Sequence, residues 1–131
     1  MPVTLKLVTP VKVLPPQQGH QVTFQASDGE IGVRQGHAPL AALVGHGLVE
    51  VLQQDGSRKG WAVRGGVAQV LGDEVNVLVI EAVEVGAIDT ARVQARLDAL
   101  AGGEKAEKDD EAAWLRGQLQ AVARSKSASK H

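Results

Sequence analysis

Cysteine is absent from the 131-residue sequence, and aromatic residues are nearly so, with two tryptophans, one phenylalanine and no tyrosine. Without cysteine there is no disulfide framework, no thiolate zinc site and no redox motif, which favours a reducing compartment. Proteins that bind single-stranded nucleic acid stack the bases on aromatic side chains. The scarcity of aromatic residues therefore argues against that role.

Neither sign of charge is in excess, since 14 basic and 15 acidic residues give a net charge of -1. Nucleic-acid-binding modules usually carry a basic patch, so we expect no nucleic-acid partner. No apolar run approaches the roughly 20 residues of a membrane-spanning helix. Residues 1–7 alternate in polarity, unlike a signal peptide. We expect any membrane association to occur through a partner protein, without direct insertion.

Motifs for catalysis and for phosphate binding are also missing. There is no Walker A pattern, and Gly65-Gly66 lacks the spacing of a dinucleotide-binding loop. The histidines show no metal-ligand spacing, and those that lie beside glycine are predicted to be turn residues. The four are His20, His37, His46 and His131. We predict a protein that is not an enzyme, has no metal site and requires no cofactor.

Alternating apolar and polar residues dominate residues 1–86, as in Val3, Leu5 and Leu7. Short apolar runs at even spacing, separated by glycine turns, predict an all-β sandwich of about eight to ten short strands. The later predicted strands are 22–26, 31–33, 40–44, 48–52, 59–64, 67–71 and 75–80, with turns that include Gly45-His46-Gly47 and Gly65-Gly66.

Two local expectations belong to this predicted sandwich. Residues 29–40 contain three glycines and a proline, which predicts a shaped loop at the rim. The strand at 75–80 is apolar on both faces, because Leu78 and Ile80 lie opposite the valines, and so we predict that it is covered on both sides.

Helix-forming residues replace glycine after Gly86. We predict a first helix over residues 87–101, with Asp89 as its N-cap and Gly102-Gly103 as its stop. A second helix is predicted over 105–125, with an apolar stripe of Ala112, Leu115, Leu119 and Val122. Residues 87–131 would then form an antiparallel helical hairpin. Its few anchors predict weak docking and exchange of docking partners.

A series of motifs in one order resembles the epsilon subunit of F-type ATP synthases, which is called delta in mitochondria. The series is Gly29-Glu30-Ile31-Gly32-Val33, Gly36-His37-Ala38-Pro39-Leu40, Gly47-Leu48-Val49-Glu50-Val51, Gly65-Gly66-Val67-Ala68-Gln69-Val70, Val75-Asn76-Val77-Leu78 and Ile88-Asp89. The resemblance covers nearly the whole chain and implies the same architecture. It also implies a non-catalytic rotor subunit of the central stalk, which couples ion flow through the c-ring to ATP synthesis.

The resemblance implies specific partners and a location. The partners are the gamma subunit, the polar loops of the c-ring and, through the hairpin, the catalytic beta and alpha subunits. Glu30, Gly36 and His37 match the segment that meets the rotor partners, although loop geometry alone also explains Gly36. The implied location is the cytoplasmic face of the bacterial plasma membrane, as a peripheral protein. In many bacterial members the hairpin can block ATP hydrolysis.

The hairpin also matches part of the family's nucleotide pattern, Ile/Leu-Asp-x-x-Arg-Ala. Ile88, Asp89 and Arg92 fit the pattern, whereas Val93 stands where alanine is usual. The resemblance thus implies a regulatory ATP site at these three residues. The alternative is an N-cap followed by a solvated first turn.

Two other functions are compatible with the pattern of strands and helices. One is a free-standing β-sandwich module that binds proteins and dimerises through its helical tail. The other is a small-ligand enzyme of sandwich fold, which the sequence disfavours because no acid, base and nucleophile converge in it.

Overall fold

The computed structural model describes residues 3–26, 29–100 and 105–129, without the side chains of 105–110 and 125–129. It confirms the predicted class, a β-sandwich followed by two helices that contact each other. The strands are β1 Val3–Thr9, β2 Lys12–Val13, β3 Gln17–Gly19, β4 Gln21–Ala26, β5 Gly29–Arg34, β6 Leu40–Leu52, β7 Arg58–Leu71 and β8 Glu74–Glu84. A 3-10 turn, Val85–Ala87, leads to α1, Thr90–Leu100, and α2, Lys105–Ser129.

The eight strands form one continuous sheet that folds over on itself. Its order is β2-β1-β8-β7-β6-β4-β5, with β3 also paired to β1. Three other strands separate β1 from β4 in this order, and yet β1 and β4 contact each other, as do β3 and β6. At that closure a Cβ on Gly19 would overlap the carbonyl oxygen of Leu52. Glycine therefore allows the two backbones to approach.

A single apolar core fills the folded sheet. Phe24 is fully buried within it and Trp61 is nearly so, at 3% exposure. The other buried members are Val3, Leu5, Leu7, Val22, Val33, Val44, Val49, Val51, Val63, Ala68, Val70, Val75, Val77 and Val79. Most of them lie two residues apart along a strand, as the alternation predicts.

Two of the predicted turns are wrong, because Gly45-His46-Gly47 and Gly65-Gly66 lie inside β6 and β7. These strands hold one register from Leu40 opposite Val70 to Leu52 opposite Arg58. Inward positions change from even to odd numbers along β6 and from odd to even along β7. At the same level of both strands, the regular alternation of side chains between the two faces is therefore interrupted by one residue. Glycine has no side chain and permits this interruption of the pleat.

Two other local predictions are also corrected. Residues 29–34 of the predicted loop form a strand that pairs along its length with β4, and only residues 35–39 remain as a loop. The prediction that β8 is covered on both sides is wrong, because Leu78 is 52% and Ile80 57% exposed. Apolar residues on both faces indicated burial, but a surface on which another protein docks has the same pattern.

The helices dock on the outside of the sheet through α2. The carboxylate of Asp89 accepts a hydrogen bond from the backbone N–H of Arg92 at 3.2 Å, which confirms the predicted N-cap of α1. Helix α1 has no fully buried residue. Helix α2 packs on β6, β7 and the 3-10 turn, and its buried apolar residues are Trp114, Leu115, Ala121 and Val122.

The predicted stripe on α2 was therefore only partly right, because Ala112 and Leu119 are half-buried while Trp114 is buried. The predicted stop at Gly102-Gly103 lies outside the described residues. Neither helix, over the part of the chain that the structure describes, has the length and apolar content needed to cross a membrane.

Candidate functional site

One uncovered apolar surface is a row of side chains across four neighbouring strands. Leu43 of β6 pairs with Val67 of β7, which pairs with Leu78 of β8, which pairs in turn with Val8 of β1. Leu43, Val67 and Leu78 are 65%, 45% and 52% exposed. Ile80 lies two residues beyond Leu78 along β8. We call these five residues the apolar row.

A groove of about 300 Å³ continues the apolar row toward the glycines of β7. Its lining includes Val8, Pro10, Gly65, Gly66, Leu78 and Ile80. We call this space the apolar groove. Ion pairs flank the surface, with Lys6 3.0 Å from Glu74 and Arg64 3.1 Å from Glu81. An apolar centre with a charged border is typical of a protein–protein interface.

The loop that follows β5 holds two of the three predicted contact residues. Gly36 is exposed with φ +82°, a conformation that favours glycine. Its N–H donates to the carboxylate of Asp73 at 3.3 Å, and Nδ1 of the half-buried His37 lies 2.7 Å from the Ala38 carbonyl oxygen. Glu30 is exposed at the opposite end of β5, where it pairs with Gln25. The structure therefore brings Gly36 and His37 together but not Glu30.

The three residues predicted to bind a nucleotide do not all lie at one site either. Arg92 lines a cavity of about 640 Å³ between the two helices and the sheet. Asp89 caps α1, and Ile88 packs against the small apolar cluster of Ala62, Trp114 and Ala121. Neither residue belongs to the lining of that cavity.

Sequence reasoning missed two further arginines of the same cavity, Arg64 and Arg96. Arg96 follows Arg92 by four residues, so the helical period places both on one face of α1. The Nε and Nη2 atoms of Arg96 lie 3.2 and 3.1 Å from Oε1 of Glu111 on α2. The cavity therefore contains three guanidinium groups, of which Arg64 and Arg96 are paired with carboxylates.

The junction between α2 and the sheet was also missed. Nδ1 of His46 accepts a hydrogen bond from the backbone N–H of Gly65 at 2.9 Å, and the same ring packs against Trp114. A Cβ on Gly117 of α2 would lie 3.1 Å from the His46 Cβ. Trp114 and Gly117, three residues apart on α2, were the available signal, because this spacing puts both on one helix face.

Among the described side chains, those of residues 3–26, 29–100 and 111–124, no three histidine or acidic side chains lie close enough together to hold a metal ion. The surfaces that the structure presents are instead suited to contacts with proteins and with anions.

Comparison with known proteins gives a consistent family. The family described as "ATP synthase, Delta/Epsilon chain, beta-sandwich domain" matches residues 2–85. An ATP synthase epsilon chain of Corynebacterium efficiens is 36% identical over 126 residues, which cover 94% of each chain. An ATP synthase epsilon chain of a Synechococcus species is 36% identical over 98 residues, covering 75% of this chain and 71% of the relative.

Solved structures have the same fold. A chain in the Euglena gracilis mitochondrial ATP synthase OSCP/F1/c-ring structure matches with a TM-score of 0.71 at 22% identity, covering 99% of this chain and 82% of its own. A chain in the Tetrahymena thermophila mitochondrial ATP synthase central stalk/c-ring structure matches with a TM-score of 0.62 at 14% identity, covering 92% and 96%. At these identities the likeness shows a shared fold.

Proposed function

The chain belongs to the ATP synthase delta/epsilon family as a non-catalytic epsilon chain, and from that premise we propose that it is a rotor subunit of the central stalk. In this role the sandwich binds the gamma subunit and the c-ring and rotates with them. It thereby couples ion translocation to ATP synthesis in the catalytic head. Two of the solved chains that share its fold come from complexes that contain a c-ring.

The apolar row is the observation that carries this proposal, and we assign it to the gamma subunit. Leu43, Val67 and Leu78 expose three large apolar side chains in register on neighbouring strands. Exposure of such a surface to water is unfavourable, so covering it with a partner contributes favourable free energy to binding. A sandwich that transmits torque needs a firm interface, and a pleated sheet gives these side chains a rigid base.

A charge placed in the apolar row tests the assignment. Leu78→Glu would bury a carboxylate against gamma without altering the core, because Leu78 is exposed in the free chain. We expect binding to gamma to weaken about thirtyfold or more, as at an interface hot spot. Ala91→Glu, at an exposed position of α1, is the control. If the Leu78→Glu variant binds gamma as tightly as the unmodified chain does, the assignment is wrong.

The loop at residues 35–39 is proposed to meet the polar loops of the c-ring. Gly36 is exposed at its tip, while His37 is fixed by its backbone N–H bond to the Arg34 carbonyl at 3.1 Å. Glu30 would belong to the same interface only if the c-ring reaches along β5. With these contacts the subunit would be a peripheral membrane protein on the cytoplasmic face of the bacterial plasma membrane.

The helical hairpin is proposed to contact the catalytic beta and alpha subunits and to inhibit ATP hydrolysis. The absence of fully buried residues on α1 supports a hairpin that can leave the sheet. Hydrolysis should be compared between complexes assembled with the full chain and with a chain ending at Gly86. Equal rates would exclude inhibition. Assembly of the shorter chain with gamma would show that residues 1–86 suffice for that contact.

Regulatory ATP is proposed to bind in the cavity that Arg92 lines. Arg64, Arg92 and Arg96 present three cations to one space of about 640 Å³, which can contain a nucleotide. This placement moves the proposed site away from Asp89, whose carboxylate caps the helix. Ile88 would contribute only indirectly, by packing the start of α1 on the sheet.

A further inference from the structure

His46 lies between the two surfaces that the proposed function uses. On one side its imidazole packs edge to face against Trp114 of α2. On the other side its Nδ1 accepts the N–H of Gly65, which is part of the apolar groove. One side chain therefore contacts both the docked hairpin and the wall of the groove.

The fit around His46 is tight on both sides. A Cβ on Gly65 would lie 3.3 Å from the imidazole Cε1, and a Cβ on Gly117 would lie 3.1–3.3 Å from the Cβ, C and O atoms of His46. Glycines on β7 and on α2 make room for the same residue. When α2 is docked, the ring can hardly move without losing its bond to Gly65.

The position of Gly65 matters because the sheet loses one step of its pleat there. The next residue, Gly66, lies against the backbone of Leu78, where a Cβ would overlap the carbonyl oxygen. Leu78 belongs to the apolar row and to the groove. Gly66 thus connects Gly65 to Leu78, which belongs to the surface that we assign to gamma.

We propose that His46 couples docking of the hairpin to binding at the apolar groove, with each event favouring the other. The docked α2 holds the imidazole, and the imidazole holds the wall of the groove in the shape that the partner binds. Undocking removes Trp114 from the ring, and the groove then loses this preorganisation. This inference rests on the proposed function, since the partner at the groove is the gamma subunit. By linkage, gamma stabilises the docked hairpin by the same factor.

Two variants separate the packing of His46 against Trp114 from its hydrogen bond with Gly65. His46→Phe keeps a ring against Trp114 and removes the acceptor for the Gly65 N–H. His46→Asn places an amide oxygen near the position of Nδ1 and removes the ring. In the free full-length chain we expect exchange of the Gly65 amide to accelerate about tenfold in His46→Phe. We expect a smaller acceleration in His46→Asn, which keeps an acceptor but is held less firmly by α2. The NMR signals of the Leu78 and Ile80 methyl groups should shift in His46→Phe.

Affinity for gamma is the second measurement. We expect His46→Phe to bind gamma about fivefold more weakly, and we expect His46→Asn to bind more tightly than His46→Phe although its hairpin is looser. Unchanged affinity in His46→Phe would overturn the coupling, and so would unchanged affinity in His46→Asn, whose hairpin is looser. If the unmodified chain fails to bind gamma, the proposed function is wrong. Unchanged methyl signals and Gly65 exchange in His46→Phe would overturn the coupling independently of gamma.

Discussion

The imidazole of His46 and the indole of Trp114 meet edge to face, with ring centres 6.2 Å apart and ring planes at 71°. This geometry is favourable for aromatic rings, and it contributes about 0.5–1.5 kcal/mol beyond the buried area. It joins the middle of β6 to α2, at the level where the long strands lose a step of their pleat. This contact of the hairpin is thus made where the pleat of the sheet is interrupted.

Gly117→Ala should weaken docking of the hairpin. Alanine is the better helix former by about 0.8–1.0 kcal/mol, so propensity alone predicts stabilisation. The added Cβ would, however, lie 3.1–3.3 Å from the Cβ, C and O atoms of His46, two of which are backbone atoms. We expect the free energy that holds the hairpin on the sheet to fall by a net amount of about 1–2 kcal/mol. Hydrogen exchange of the α2 amides would measure this change.

A control for this variant lies on the same helix. Gln120→Ala changes an exposed residue of α2 and should alter the exchange of the α2 amides by less than about 0.5 kcal/mol. Stabilisation of α2 by Gly117→Ala would show that the helix does not approach His46 as closely as the structure indicates.

The fold class was readable from the sequence because alternation marks strands and a change of composition marks helices. The bounds of the long strands were not, because Gly65-Gly66 has the same composition in a turn and in a break of the pleat. The unchanged register between β6 and β7 separates the two cases. Register is a property of paired strands, and one strand's sequence does not contain it.

Gly66→Ala should severely destabilise the sandwich. A Cβ there would overlap the carbonyl oxygen of Leu78 and lie 2.8 Å from the Cα of Val79, and neither backbone atom can move alone. We expect a loss of more than about 4 kcal/mol in the free energy of unfolding, or failure to fold. Gly45→Ala is the matched control at the same level of the sheet, because a Cβ there meets nothing within 4 Å. Similar unfolding midpoints for both variants would contradict this packing.

The candidate sites were predicted less completely than the fold. Arg92 was found through a short motif, whereas Arg64 reaches the same cavity from a strand 28 residues earlier in the sequence. Asp89 fits the motif but serves as the helix N-cap. The row of Leu43, Val67 and Leu78 could not be recognised before the register was known, since each residue alone looks like part of an ordinary strand.

Ser57→Ala should raise the pKa of Asp55. In the turn between β6 and β7 the hydroxyl of Ser57 and then its backbone N–H lower the pKa of this carboxyl below 3.8. A lowered folded-state pKa stabilises the protein above the unfolded pKa, and the contribution disappears as the pH falls through the folded value. The variant loses the hydrogen bond from the hydroxyl and keeps the one from the backbone N–H of residue 57. NMR titration should therefore give a pKa of Asp55 nearer 3.8. An unchanged pKa would show that the hydroxyl bond does not form.

Arg92→Gln should weaken ATP binding to the isolated full-length chain. Arg92 lines the cavity, and its guanidinium makes no ion pair with any carboxylate that the structure describes. It is therefore available to a phosphate group. We expect about a tenfold loss of affinity by isothermal titration, the size of one charged hydrogen bond. Arg116→Gln, at an exposed position outside the lining, should leave the affinity unchanged. Equal affinities for Arg92→Gln and the unmodified chain would exclude this cavity as the ATP site.

Glu111→Gln should have the opposite effect and strengthen ATP binding. The Glu111 carboxylate lies 3.1 Å from Nη2 of Arg96 and lines the same cavity, so it competes with phosphate for the guanidinium and repels the nucleotide's charge. We expect affinity to rise about threefold to tenfold, with the larger gain at low salt because both effects are electrostatic. Glu84→Gln is the matched control, since Glu84 pairs with Lys59 outside the cavity. Weaker binding by Glu111→Gln would instead mean that the Arg96–Glu111 pair holds α1 and α2 in the geometry that ATP requires.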